Sequence, residues 1–221
     1  MLYDMCARYS ITKEGLVIQI GEYEITINFG TRFNIAPTQK APVIIPSTKG
    51  HYQAVEMKWG WQPAWSKTLL INGQSETVLD KPTFKKFISN RCLIPADGFY
   101  EWTADKTPIR FTKPHDEPFC FAGLYLETVT QPQDVEIKEQ KFIILTTTPN
   151  KTVGRFHDRM PLIVKSGHYD WWLSEGGMFE SVLNFPSKEE LNWCPVQRAL
   201  NKVGSEGSDL IRPSQIQKDL L

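Results

Sequence analysis

The sequence predicts an α+β fold built around a strongly bent or barrel-like antiparallel sheet with a few short peripheral helices. Strand-type segments rich in β-branched and aromatic residues follow one another closely along the chain, and helical periodicity is confined to brief stretches. The 221 residues show no repeats and no second composition regime. We therefore expect one domain over residues 5–221.

The predicted strands are short, and the segments between them leave little room for long crossovers, which favours antiparallel neighbours. They are Leu16–Ile20, Tyr23–Phe29, Pro42–Pro46, Gln53–Trp61, Arg91–Pro95, Phe99–Trp102, Ile109–Thr112, Phe119–Thr128 and Lys141–Thr147. The dipeptide Asp97-Gly98 stands between two of these strands and predicts a tight reversal.

Helical signals are few. Apolar residues recur at helical spacing after a proline, which predicts a helix over Thr83–Asn90. A second short helix is predicted over Tyr169–Ser174, and Ser187 with Glu190 resembles a capping box. The polar tail Ser205–Leu221 is expected to be peripheral.

Composition and charge exclude several classes of protein. Lys plus Arg and Asp plus Glu both number 25, so no global charge attracts nucleic acid, and a nucleic-acid site must be a local patch. Apolar stretches are short and the N-terminus lacks a secretory signal, so we expect a cytoplasmic protein without a membrane span. The cysteine spacings match no metal site, and no cofactor is expected. We expect three of the cysteines to be quiet buried thiols, namely Cys92, Cys120 and Cys194.

Four segments carry residue types suited to chemistry. They are Met5–Arg8, Asn72–Thr77, Arg91–Trp102 and Phe156–Pro161. Each alone has an ordinary structural explanation as a mobile end, a turn, an exposed strand face or a solvated charge pair. Together they supply a thiol, a carboxylate, a histidine and arginines, which suits an acid–base site.

Glu101 is the sharpest candidate among these residues. If the reversal at Asp97-Gly98 holds, strand alternation places it on the same face as Phe99. A carboxyl group beside an aromatic ring on an inward face should have a raised pKa and be able to transfer protons.

An ordered set of motifs resembles the SOS-response-associated peptidase family from residue 5 to about residue 164. The motifs are Met-Cys-Ala-Arg-Tyr at 5–9, Phe-Asn-Ile-Ala-Pro-Thr-Gln at 33–39, Trp-Gly-Trp-Gln-Pro-Ala-Trp at 59–65, Asn72 to Thr77, Pro95 to Trp102, Phe-Ala-Gly-Leu-Tyr at 121–125, Thr-Thr-Pro-Asn at 147–150 and His-Asp-Arg-Met-Pro at 157–161. One such motif would be weak evidence, whereas the whole set in order is hard to obtain by chance.

The resemblance implies a protein that senses abasic sites in single-stranded DNA and crosslinks to them, acting as a monomer without a cofactor. In that family an N-terminal cysteine, exposed by removal of the preceding methionine, closes a thiazolidine with the ring-opened sugar, with associated peptidase and lyase chemistry. The implied catalytic residues are Cys6, Asn72, Glu101 and His157. The implied DNA contacts are Arg8, Pro37, Trp65, Gln74 and Arg159.

Elementary chemistry supports the assignment of Cys6. An α-amine has a pKa of about 7.7–8.0, against about 10.4 for lysine, so a usable fraction is neutral and nucleophilic near pH 7. The thiol of the same residue can then close a five-membered ring, which is a proximity effect.

Two features depart from the family pattern. Gln74 stands where the family usually has arginine, so we expect one phosphate contact to be lost. Met1 to Asp4 precede the Met-Cys pair, and Leu2 would protect Met1 from methionine aminopeptidases. Either Met5 is the true start, or the protein removes its own leader.

Two other functions remain open on the sequence. A cysteine peptidase or amidase could use Cys6, Glu101 and His157 on external peptides, and it would tolerate a blocked α-amine. A non-catalytic nucleic-acid or protein-binding module would form no covalent product and would survive replacement of Cys6.

Overall fold

Strands dominate the computed structural model, which describes residues 6–47, 50–130, 137–175, 179–184 and 190–214. The strands are β1 (Arg8–Ile11), β2 (Leu16–Ile20), β3 (Tyr23–Ile27), β4 (Arg32–Ile35), β5 (Lys40–Pro46), β6 (Tyr52–Trp59), β7 (Asn72–Gln74), β8 (Arg91–Ala96), β9 (Gly98–Trp102), β10 (Pro108–Thr112), β11 (Phe119–Thr130), β12 (Ile137–Thr147), β13 (Met160–Pro161), β14 (Ile163–Val164) and β15 (Asn192–Pro195). The α-helices are α1 (Pro82–Lys85), α2 (Tyr169–Leu173) and α3 (Phe179–Asn184). None of these helices is long and apolar enough to cross a membrane.

Five strands close into a barrel in the order β12, β6, β5, β8, β11 and back to β12. Four of the five junctions are antiparallel. The fifth, between β12 and β6, is parallel and sets Lys141 opposite Lys58 and Phe142 opposite Trp59. The predicted barrel-like α+β fold is confirmed. The expectation of purely antiparallel pairing is wrong at this junction, because the long chain between β6 and β12 provides the crossover that parallel strands need.

A second sheet, in the order β15, β10, β9, β1 and β4, receives the chain from the barrel at Asp97. The predicted reversal there is wrong, because β8 pairs within the barrel while β9 pairs with β1 and β10. The Asp97 carboxylate is fully buried and accepts hydrogen bonds from Ser10 Oγ and from the backbone N–H of Thr12. These bonds tie the corner to β1. A Cβ at Gly98 would lie 2.8 Å from the Arg110 side chain, so glycine fits this corner.

The helices are shorter than predicted. The segment expected to be helical over Thr83–Asn90 forms only α1 and then continues as turns, with Phe84 and Phe87 buried against the barrel. The second prediction is confirmed by α2, whose fully buried Trp172 donates its indole N–H to the carbonyl of Cys92. The predicted leader at residues 1–4 and the capping position Ser187 lie outside the described residues.

A small second core packs against the outer face of β9. Tyr100, Val196, Leu200 and Leu210 form it, apart from the main core inside the barrel. The described part of the tail is therefore not wholly peripheral, because Leu210 is buried. Among the three cysteines expected to be buried, Cys92 and Cys120 are, whereas Cys194 on β15 is only half-buried.

Candidate active site around Cys6 and Glu101

Cys6 and Glu101 meet where β1 begins beside β9. The register of the two strands sets Arg8 opposite Tyr100, which brings the preceding Cys6 next to the C-terminal half of β9. The backbone N–H of Cys6 donates to Glu101 Oε1 at 2.7 Å. Both residues are 2% exposed. The predicted nucleophile and the predicted acid–base group therefore share one buried site.

Burial sets the protonation of both groups. It raises the pKa of Glu101 from its ordinary value of 4.5 to about 8, partly opposed by the hydrogen bonds from Cys6. The prediction of a raised pKa agrees with this. Burial, followed by the charge of Glu101, also raises the pKa of the Cys6 thiol well above its usual range, while the charge of Arg159 acts in the opposite direction. At neutral pH the site therefore holds a thiol and a largely protonated carboxyl group that ionises readily.

His157 lies in the turn before β13, beside Asp158 and Arg159, two residues whose charges act on Cys6. Its Nδ1 lies 3.1 Å from Asp158 Oδ1 and accepts the backbone N–H of Arg159 at 3.1 Å. The lone pair of Nδ1 therefore points toward the Arg159 backbone, which fixes the orientation of the imidazole ring.

Arg159 is held in place by Glu76. The Nη1 and Nη2 atoms donate to Glu76 Oε1 and Oε2 at 2.9 Å and 2.8 Å, and Nη2 also donates to the carbonyl of Thr146 at 2.8 Å. Sequence reasoning included Glu76 in a motif but gave it no role, and Thr146 was not singled out. The pair joins segments that are distant in sequence, so no local sequence pattern predicts it.

The end of β12 brings together the segments Asn72–Thr77 and Phe156–Pro161. The parallel strand β7 places Asn72 opposite Ile144 and Gln74 opposite Thr146, and β13 pairs with the same end of β12 from the other side. Asn72 is half-buried and Gln74 is exposed. Among the described contacts, the charges of Arg159 and Asp158 link this corner to Cys6 and Glu101. The catalytic role that the resemblance implies for Asn72 remains a prediction.

Arg8 lies at the second core. Its Nη1 donates to Asn34 Oδ1 at 2.8 Å and to the carbonyl of Leu200 at 3.0 Å, and the guanidinium lies 5.9 Å from the centre of the Trp102 ring. These contacts tie β1 to the C-terminal segment. A DNA phosphate would have to compete with them, so the predicted phosphate contact remains a prediction.

Trp65 and Pro37, two of the residues predicted to contact DNA, differ in their exposure to solvent. Trp65 is 70% exposed, on the loop that the Trp61–Leu70 bridge closes. Pro37 is half-buried before Thr38, whose φ of 74° marks a sharp turn. An exposed indole offers a stacking face for an unpaired base.

Comparison with known proteins decides the family. The family model described as SOS response associated peptidase (SRAP) matches residues 5–203. This chain belongs to the SRAP family. The matched residues include Cys6, Asn72, Glu101 and His157.

Three curated relatives match between 70% and 95% of this chain. The abasic site processing protein YoqW of Bacillus subtilis is 29% identical over 94% of this chain and 99% of its own length. The abasic site processing protein YoaM of Bacillus subtilis is 35% identical over 70% of this chain and 68% of its own length, and YedK of Escherichia coli, with the same description, is 25% identical over 95% and 100%.

Solved structures share the SRAP fold seen here. A protein from Bacteroides thetaiotaomicron superposes with a TM-score of 0.73 at 18% identity, over 95% of this chain and all of the other. A phage-related protein from Bordetella bronchiseptica gives 0.69 at 24% identity, over 87% and 94%.

Gln74→Arg tests the expectation that glutamine at position 74 has lost a phosphate contact. Gln74 is exposed on β7, opposite the residue whose carbonyl holds Arg159. We expect the variant to bind single-stranded DNA more tightly at low salt. Each added phosphate contact makes the slope of log affinity against log salt steeper by about 0.7. Titrations at several salt concentrations measure both quantities.

Gln53→Arg is the matched control, because it adds the same charge at an exposed position near the start of β6. Equal gains in both variants would reduce the effect to net charge. Unchanged binding in Gln74→Arg would show that this position does not face a phosphate.

Proposed function

We propose that this chain senses abasic sites in single-stranded DNA and attaches itself to them through the amine and thiol of Cys6. The observation that carries the proposal is the 2.7 Å contact between the Cys6 nitrogen and the buried Glu101 carboxyl group. It puts a proton-transferring group at the atom that must become the nucleophile. Several relatives are abasic site processing proteins, which supports this substrate.

The proposed reaction needs only groups of Cys6 and the sugar. The neutral α-amine adds to the aldehyde carbon of the ring-opened sugar, and loss of one water leaves an imine. The thiol sulfur then adds to the imine carbon while its proton goes to the imine nitrogen. A five-membered thiazolidine results, with no oxidant, reductant or metal consumed. Holding both nucleophiles on one residue makes the second step intramolecular.

Glu101 moves the protons in this scheme. Its pKa of about 8 lets it donate a proton to the departing hydroxyl, take back the proton that the nitrogen loses as the imine forms, and relay the thiol proton to the imine nitrogen as sulfur adds. The raised thiol pKa makes this assistance necessary, because little thiolate is present without it.

The same residue serves the release of the cysteine nitrogen. With a preceding residue attached, hydrolysis of the bond before Cys6 must deliver a proton to the leaving nitrogen. Glu101 Oε1 is already at hydrogen-bond distance from that nitrogen. We therefore propose that the chain is a SRAP-type autopeptidase that removes its own leader or its initiator methionine.

The remaining site residues take supporting roles. His157 acts as acid–base at the sugar and in opening the crosslink, which includes the lyase step, and Asn72 orients the cysteine and the sugar. Trp65 and the Pro37 loop line the path of the bases. Arg159, with Arg8 and position 74, meets phosphates. We propose that one copy of the chain does this in the cytoplasm.

The described contacts weigh against a cysteine peptidase. Such an enzyme needs a thiolate prepared by an adjacent histidine. Here the pKa of the Cys6 thiol is raised, and Nδ1 of His157 contacts Asp158 and the Arg159 backbone. Attack by a neutral amine does not require the thiolate.

The mass of the product tests the proposed function. The form that begins at Cys6 is incubated with a single-stranded oligonucleotide that has one abasic site. We expect a band that survives denaturing electrophoresis without borohydride, and an intact mass equal to protein plus DNA minus one water. An oligonucleotide with an intact base is the control. An adduct that appears only after borohydride reduction would indicate a simple Schiff base and contradict the thiazolidine.

A further inference from the structure

Glu76 and Arg159 form a forked ion pair at the edge of the site. Two nearly equal N–H···O contacts of 2.9 Å and 2.8 Å join the two guanidinium ends to the two carboxylate oxygens. The Arg159 side chain is 12% exposed and that of Glu76 is 42% exposed. The hydrogen bond to Arg159 is the largest cause that lowers the pKa of Glu76. A charge-assisted pair of this geometry fixes orientation as well as distance.

The end of β12 completes the frame around this pair. The carbonyl of Thr146 accepts from Arg159 Nη2 at 2.8 Å, and the backbone N–H of Thr148 donates to Glu76 Oε1 at 3.2 Å. The arginine is therefore fixed by the segment after β7 and by β12. A long side chain that is already ordered loses less rotamer freedom when it binds a ligand.

One donor of Arg159 is left over. Its Nε atom is buried and has no hydrogen-bond partner among the residues that the structure describes. A buried donor without a partner is costly, and it marks a place where water or a ligand completes the bonding. The charge of Arg159 acts to lower the pKa of the Cys6 thiol, so the guanidinium lies within electrostatic range of the reacting residue.

We infer that Glu76 is a positioning residue for DNA: it fixes the orientation in which the Arg159 guanidinium meets an oxygen of the phosphate next to the abasic sugar. The inference rests on the proposed function and names a residue through which that site is organised. Glu76 touches neither the sugar nor the phosphate in this scheme. Its effect passes entirely through Arg159.

Non-covalent binding to DNA tests the inference apart from the crosslinking chemistry. The probe is a single-stranded oligonucleotide with a tetrahydrofuran abasic analogue, which has no aldehyde and cannot crosslink. Affinity is measured for the full chain and, in parallel, for the form that begins at Cys6. We expect Glu76→Gln to weaken binding about tenfold, the scale of coupling within one ion-pair network. In an Arg159→Gln background, Glu76→Gln should change nothing further.

Two controls separate positioning from general effects. Asp105→Asn removes the carboxylate of another arginine pair, Arg198 to Asp105 at 2.7 Å, and should leave binding unchanged. Glu76→Asp keeps the charge but shortens the side chain, so it should also weaken binding, and it replaces Glu76→Gln if that variant fails to fold. Thermal unfolding of each variant checks the fold.

Four outcomes would overturn the inference. Tighter binding in Glu76→Gln would make Glu76 a competitor of the phosphate. Unchanged binding, or an equal loss in the Arg159→Gln background, would show that Glu76 does not act through the arginine. A wild-type chain that binds no DNA in either form would contradict the proposed function, and this inference with it.

Discussion

The chain that still carries Met1 to Met5 is expected to form no stable crosslink with abasic single-stranded DNA, whereas the form that begins at Cys6 crosslinks. In the longer form the nitrogen of Cys6 belongs to a peptide bond, and its lone pair is delocalised into the carbonyl group. It cannot form an imine with an aldehyde, although every other site residue is present. Denaturing electrophoresis of both forms under one set of conditions measures the difference, and intact mass reports each N-terminus.

Substitutions at Cys6 separate the two nucleophiles of the shorter form. Cys6→Ala keeps the α-amine and loses the thiol, so a reversible imine is all that remains. Cys6→Ser should also give no stable adduct, because an oxazolidine hydrolyses more readily than a thiazolidine. A full crosslink with Cys6→Ala, or with a longer form whose mass shows an intact leader, would contradict the mechanism.

The longer form also reports on the leader itself. Slow loss of five residues by the purified protein, stopped in Glu101→Gln, would identify a propeptide that the site removes. A mass that never changes would point instead to Met5 as the first residue in the cell. The hydrogen bond from the Cys6 N–H to Glu101 Oε1 favours self-removal, because the carboxyl group that would protonate the leaving nitrogen already contacts it.

Local periodicity was sufficient to predict that Glu101 and Phe99 share a face. Glu101 follows Phe99 by two residues, so strand alternation puts both on one side of the strand, and both lie buried. The raised pKa follows from that burial, so it too could be predicted. The barrel could be anticipated from closely spaced strands. In the second sheet, β1 and β4 lack dense β-branched runs and were not predicted.

Contacts between distant segments could not be predicted in the same way. Asp97-Gly98 has the composition of a hairpin turn, yet a buried carboxylate bonded to Ser10 on β1 makes it a corner between two sheets. Arg8 is bonded to a carbonyl 192 residues away, and Arg159 to a carboxylate 83 residues away. A single sequence gives the residue types but not these pairings, so a resemblance can suggest roles for the arginines without showing how they are held.

Glu101→Gln is expected to slow leader removal and crosslink formation by about 10²–10⁴-fold, the usual scale for loss of general acid–base catalysis. Glutamine keeps the shape and an oxygen near the Cys6 nitrogen, but it cannot transfer a proton. Single-turnover rates with excess protein measure the crosslinking step, and intact mass against time measures leader loss. Unchanged rates would mean that this buried carboxyl group has no part in the chemistry.

The free energy of unfolding of Glu101→Gln at different pH values should show how much stability the buried Glu101 carboxyl group costs the folded protein. The folded pKa of Glu101 is raised to about 8 from 4.5, so between these values the native state binds more protons than the unfolded state. The wild type should therefore lose stability as pH rises from about 4.5 through 8, whereas Glu101→Gln should lose none from this position. Each pKa unit corresponds to about 1.4 kcal/mol, so above pH 8 the variant should be more stable by up to roughly 4 to 5 kcal/mol.

Denaturant unfolding at several pH values measures this difference, and Glu24→Gln, at an exposed carboxylate on β3, controls for the substitution itself. A variant that is slower in catalysis and yet more stable at alkaline pH would mark Glu101 as a group retained for its chemistry. A variant that is less stable at every pH would assign it to the packing instead.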